Sequence, residues 1–170
     1  MFAQGVEQEI ILKNGHPVLV SVKGVKTREF HEHGISFSYP SEMKIGKESF
    51  YGIKQITLES TDSTLLMIQV FPVEIPSAEL QRDLLVEFRE AFANLGAKYS
   101  EKSTAPCKRS IGSVEYQGIE LLSALGDLAY KIEIYTMQKS GKTLAFVFQY
   151  AEEDKEKATP RYEVVTKSFK

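Results

Sequence analysis

The 170 residues, 42% apolar and 26% charged, fit one soluble-type globular unit able to bury roughly 70% of its unfolded surface. A formal net charge of −2, with Lys and Arg spread along the whole length, provides no basic stripe and argues against nucleic acid as a partner. Cys107 is the only cysteine, which excludes an internal disulfide and a multi-cysteine zinc site, and no apolar run approaches the ~20 residues of a membrane-spanning helix.

The opening Met-Phe-Ala-Gln-Gly has neither a basic n-region nor an apolar h-region, so no signal peptide is expected within it. Phe2-Ala3-Gln4 fits the remnant of an A-x-A type cleavage site, which makes an exported or periplasmic location the expectation if a leader has been trimmed. Residues 1–8 read as a loose terminus. Residues 9–12 and 17–22 are β-like runs around Asn14-Gly15, the dipeptide that best tolerates the positive φ angles of a tight hairpin. Residues 23–34 are polar and read as a connector. The expected division is therefore an extension over 1–33 and one domain over 34–170.

Residues 34–40, GISFSYP, alternate Ile35, Phe37 and Tyr39 against Ser36 and Ser38, which predicts a strand ended by Pro40. Residues 41–52 read as a loop with Met43, Ile45, Phe50 and Tyr51 tucked beneath it. Residues 53–60 and 64–71 predict a strand pair, the second apolar at nearly every position and hence central. Ser77 is placed to cap a helix over 78–95, where Leu80, Leu84, Leu85, Phe88, Ala91, Phe92 and Leu95 make one apolar stripe, and Gly96 ends it.

Residues 97–103, a turn near Pro106, and runs over 108–116 and 117–124 follow, the last reversing at Leu125-Gly126-Asp127. Residues 127–151 predict a hairpin folded at Lys139-Ser140-Gly141-Lys142. Leu128, Tyr130, Ile132 and Ile134 share one face of its first strand, with Lys131 and Glu133 on the other. In its second strand Leu144, Phe146, Phe148 and Tyr150 alternate with Thr143, Ala145, Val147 and Gln149, so the large side chains are expected to close against the long helix. Residues 151–159 read as a charged loop, and Pro160 as the opening of a last helix carrying Tyr162, Val165 and Phe169. This order predicts an α+β fold, a mainly antiparallel sheet flanked by helices in an α/β/α sandwich.

Three pieces of that pattern resemble the PsbP-like family: Gly34-Ile35-Ser36-Phe37-Ser38-Tyr39-Pro40 its opening strand, residues 142–150 its last strand, and Val164-Val165-Thr166-Lys167-Ser168-Phe169 its last helix ending in Ser-Phe. The resemblance covers about residues 34–169. Relatives often place a tryptophan shortly after the proline, where this chain has Met43. The resemblance implies the α/β/α sandwich and roles in binding or assembly, as in an extrinsic photosystem II subunit and a Ran-binding import factor, with no cofactor and no catalysis. An unidentified protein partner is the matching expectation.

Among candidate sites, His31 and His33 on an extended segment would point the same way and form a metal pair, with Glu29 a third ligand. The bland alternative is an exposed connector. Gly141-Lys142-Thr143 mimics a phosphate loop, but Thr136 stands where its first glycine is required and a strand follows. Cys107 lies beside Lys108 and Arg109, which would lower a thiol pKa, yet no histidine is near to serve as base. Glu115 and Glu120 read as wet-face residues, and Glu152, Glu153 and Asp154 as a solvated acidic run. Two functional expectations result: a non-catalytic binding or assembly module contacting its partner through residues 1–33, or a small-ligand or metal-ion carrier with a pocket under the 43–51 loop.

Overall fold

The computed structural model describes residues 25–96 and 98–170 in full, and the backbone of two strands upstream, Gln8–Lys13 (β1) and His16–Val22 (β2). These two pair antiparallel, as the runs around Asn14-Gly15 predict; that dipeptide and residues 1–7 lie outside the described residues. Thr27–Glu32 (β3) and Ile35–Pro40 (β4) form a second ribbon. Lys44–Phe50 (β5), Ile53–Glu59 (β6) and Leu65–Phe71 (β7) precede the long helix Ser77–Asn94 (α1). Tyr99–Ile111 (β8), Val114–Leu125 (β9), Leu128–Lys139 (β10) and Lys142–Ala151 (β11) lead to the last helix, Lys155–Ser168 (α2). The main sheet is antiparallel, in the order β5-β6-β7-β11-β10-β9-β8, with α1 on one face and α2 on the other. The fold is an α+β sandwich.

The centre of the sheet follows from the two-residue turn between β10 and β11. Ser140 (φ 52) and Gly141 (φ 75) both take the positive φ that matches the twist of a tight hairpin. The period of two then sorts side chains. Ile132, Ile134, Ala145 and Val147 pack under Leu80, Leu84, Leu85 and Phe92 of α1. Tyr135, Met137, Phe146 and Phe148 face Tyr162 and Val165 of α2 and Phe169 just beyond its end. The expected partners are thus exchanged: the phenylalanine stripe closes against the short helix, because the long helix takes the smaller-residue face. β7 is covered on both faces, with Leu66 and Ile68 toward α2 and Met67 and Phe71 toward α1.

Five further expectations are corrected. The connector over 23–34 contains β3, whose Phe30 is buried and stacks on Phe37 at 4.9 Å, so the core begins ahead of Gly34. The loop over 41–52 is largely β5, an edge strand whose polarity hides its pairing with β6. Pro106 makes no turn but sits inside β8, which tolerates a missing N–H as the outermost strand; the reversal comes at Gly112, φ 65. The charged run after Ala151 is a short 3₁₀ turn followed by the start of α2, with Pro160 inside the helix. Ser77 is the first residue of α1 and Pro76 its cap, so the hydroxyl lies too far along to serve the free N–H groups.

The segments that carried the family resemblance are one interface. The Ser38 N–H donates to Ser168 Oγ at 2.8 Å, and Ser36 and Lys170 exchange backbone hydrogen bonds of 3.0 and 2.9 Å. Phe169 meets the Phe146 ring edge-on at 5.0 Å. The terminal Ser-Phe therefore docks β4 onto the end of α2.

Candidate functional site

On β10, the alternation that buries Ile132 and Ile134 beneath α1 turns Lys131, Glu133 and Tyr135 toward the α2 side. On β8 it brings Cys107 and Arg109 to the same face, across β9 through the rows Cys107–Gly118–Tyr135 and Ala105–Glu120–Glu133. Gly118 lets this happen. A Cβ there would lie 2.5 Å from both Ile134 O and the Tyr135 ring, so only glycine allows Tyr135 to lie flat across β9.

The centre of the cluster is Glu133, 7% exposed. Its Oε2 accepts from Arg109 Nε (3.0 Å), Arg109 Nη2 (2.7 Å) and the Tyr135 hydroxyl (3.0 Å). Lys131 Nζ lies 3.8 Å from Glu133 Oε1 and 3.0 Å from Glu120 Oε2. The Arg109 guanidinium covers the Phe148 ring at 4.4 Å, which keeps water from its upper side. Two cations and two carboxylates leave the group neutral, as a half-buried charge cluster requires.

The titratable groups are held in their resting forms. Burial alone would pull the Arg109 guanidinium down, but Glu133 more than offsets it and the pKa stands above its ordinary value. Burial pushes the Tyr135 phenol far up, so it stays a donor. Burial also raises the Cys107 thiol, the opposite of the shift expected from its basic neighbours. The reason is geometric: Lys108 lies on the other face of β8 near Glu115 (3.8 Å), and Arg109 is engaged by Glu133. Cys107 is a half-buried thiol whose neutral form is favoured by burial.

A second polar knot closes one end of the α2 face. Arg161 of α2 binds Asp62, Thr64 Oγ1 (3.1 Å) and Glu42 (2.7 Å), tying the β4–β5 and β6–β7 turns to the helix. Burial works against ionised Asp62, but the Arg161 guanidinium and the Thr64 N–H hold its carboxyl at about 2. Asp154, expected in a solvated run, accepts from Ser63 Oγ (2.6 Å) and Ser63 N–H (3.2 Å) and fixes the start of α2.

The two expected metal ligands, His31 and His33, sit on β3 and in the turn that follows Glu32, respectively. His31 Nε2 is 2.9 Å from Glu29 Oε2, whereas His33 has φ 57 in the β3–β4 turn and its Nε2 is 3.7 Å from Glu32. Among the described residues no three metal-ligating side chains converge. His33 borders a cavity of about 60 Å³ with Gly34, Val70, Lys139 and Leu144, well below the ~300 Å³ at which small-molecule sites begin. The apolar residues expected beneath a 43–51 loop part company: Met43 is core, while Phe50 is partly and Tyr51 fully exposed at a turn. Sequence reasoning missed the Glu133 cluster because Lys131 and Glu133 look like a wet face. Gly118, inside an otherwise regular strand, was the available signal of a close approach.

No family model matches the chain, and no curated protein sequence matches it. The solution structure of cyanobacterial PsbP from Synechocystis matches with a TM-score of 0.58 at 15% identity, over 89% of this chain and 98% of that one. The fold is PsbP-like. LpqN of Mycobacterium tuberculosis, described as involved in cell envelope biogenesis, matches at TM-score 0.47 and 10% identity over 86% and 91% of the two chains. A Bacteroides thetaiotaomicron protein matches at 0.48 and 13% over 80% and 44%. Those two add nothing to the PsbP-like assignment. Its counterpart here is the interface of β4, β11 and the end of α2, where the resembling segments meet. No described helix is long and apolar enough to cross a membrane.

Proposed function

We propose that this PsbP-like chain is a non-catalytic binding or assembly module whose partner is a protein. The observation that supports this reading is the closure of the Glu133 cluster: one carboxylate oxygen takes three donors from the chain itself, and the other lies 3.8 Å from Lys131 Nζ. A base held this way is a structural tie, since general acid–base work needs a group able to exchange its proton with a substrate. The contact region of this proposal is the extension expected over residues 1–33; because β3 and its buried Phe30 belong to the core, the test removes only residues 1–24 of it. An exported location accompanies the proposal.

The test uses the full chain and a chain beginning at Val25, which keeps β3 and Phe30 in place. Cross-linking in the source cells should join one defined protein to the full chain, and the shorter chain should lose it. Equal recovery by both would remove the role given to the extension. Turnover of any substrate that disappears in Glu133→Gln and Tyr135→Phe would overturn the non-catalytic reading itself.

A further inference from the structure

We infer that the outer edge of β5 is a self-association surface, where a second copy of the chain adds its own β5 antiparallel with Gly46 on the two-fold axis. The two outer strands of the sheet are built differently. β8 carries Pro106, which has no N–H to offer, and a register shift between Glu101 and Ser103; both features spoil edge-to-edge pairing. β5 has neither. It pairs with β6 in unbroken register from Lys44↔Glu59 to Phe50↔Ile53, and no described strand pairs with its other side. An unpaired row of backbone N–H and C=O groups is a template for a further strand.

Charge selects the occupant and the register. A two-fold axis perpendicular to the sheet keeps each face on its own side, so the dyad must pass through a residue, not between two. Centring on Lys47 or Glu48 sets that charge against its own copy, and centring on Ile45 opposes Glu48 to the partner's Glu42. Centring on Gly46 opposes Lys44 to the partner's Glu48 twice over, with Ile45 beside the stem of the partner's Lys47. Opposite charges directly across a ladder are favourable and like charges are not.

Gly46 supplies an independent observation. Its φ is not positive, and a Cβ there would meet nothing nearer than Thr57 Cβ at 3.9 Å, so the fold of one chain does not require glycine at this position. With glycine at the axis, no side chain there has to face its own copy.

Sedimentation equilibrium of the full chain, from micromolar to millimolar, tests the proposal. The mass should rise from 19.2 kDa toward twice that value. K44E and E48K should each weaken association about tenfold, and the double variant K44E/E48K should restore it, because the pairs are re-formed with signs reversed. Both side chains are exposed; E48K, opposite Gln55, should not move the thermal midpoint read by circular dichroism, whereas K44E, opposite Glu59 within the chain, should lower it slightly. A monomer across the range, or association indifferent to the three variants, would overturn the assignment.

Discussion

The two faces of the central sheet solve the same problem with different materials. The α2 face is filled by large aromatics, among them Tyr135, Phe146, Phe148, Tyr162 and Phe169, and is roofed by both α2 and the β3–β4 ribbon. It also carries the Glu133 cluster and the Arg161 knot. The α1 face is packed with Ala145, Val147, Ile132 and Ile134 under four buried side chains of one helix. Large rings leave gaps that a single short helix cannot fill, so a second ribbon and polar ties close that side. The smaller residues let a long helix lie close with little further support.

Truncation should show this asymmetry first. Phe146→Ala opens a cavity among interlocked rings and should cost about 3–5 kcal/mol in urea denaturation. Val147→Ala, one residue along and facing α1, should cost only about 2 kcal/mol. Similar urea midpoints for the two would mean that the faces are assigned wrongly. Gly118→Ala should cost about 3 kcal/mol, since the new methyl meets Ile134 backbone and the Tyr135 ring, and Tyr135 near-ultraviolet dichroism should fall with it.

The Arg161 knot gives a smaller, pH-dependent difference. The Asp62 carboxyl is depressed from 3.8 to about 2 on folding, so its stabilisation is fully present above about 3.8 and is lost as pH falls through about 2. Asp62→Asn should therefore be about 1 kcal/mol less stable than the native chain at pH 7, allowing for solvent screening, and the gap should close in that acid window. At the low end, Glu153→Ala is a surface change and should stay under about 0.5 kcal/mol by thermal melting.

The regular elements of both faces were legible in the sequence. The stripe from Leu80 to Phe92 names α1, and the alternations in 128–151 name the central hairpin with its turn. Which helix meets which face was not legible, because a strand with apolar residues on both sides contains no label for its neighbours. Polar edge strands were also hidden: β5 and β8 spend most positions in solvent, so neither period stands out. Tertiary ties were hidden for a related reason. Glu133 and Arg109 are 24 residues apart, and only the fold reveals that each charge answers the other. The Ser168 contact with Ser38 bridges 130 residues, yet its two segments were recognisable as pieces of a PsbP-like chain.

The most direct test of the central claim, a charge cluster closed upon itself, is a double-mutant cycle on Arg109→Met and Glu133→Leu followed by urea denaturation. Each single change strands one buried charge and should cost about 3 kcal/mol, while the double variant should cost far less than the sum, with a coupling of about 2 kcal/mol. Additivity to within about 0.5 kcal/mol would contradict the account, because it would mean that Glu133 does not depend on Arg109 and remains available to another partner.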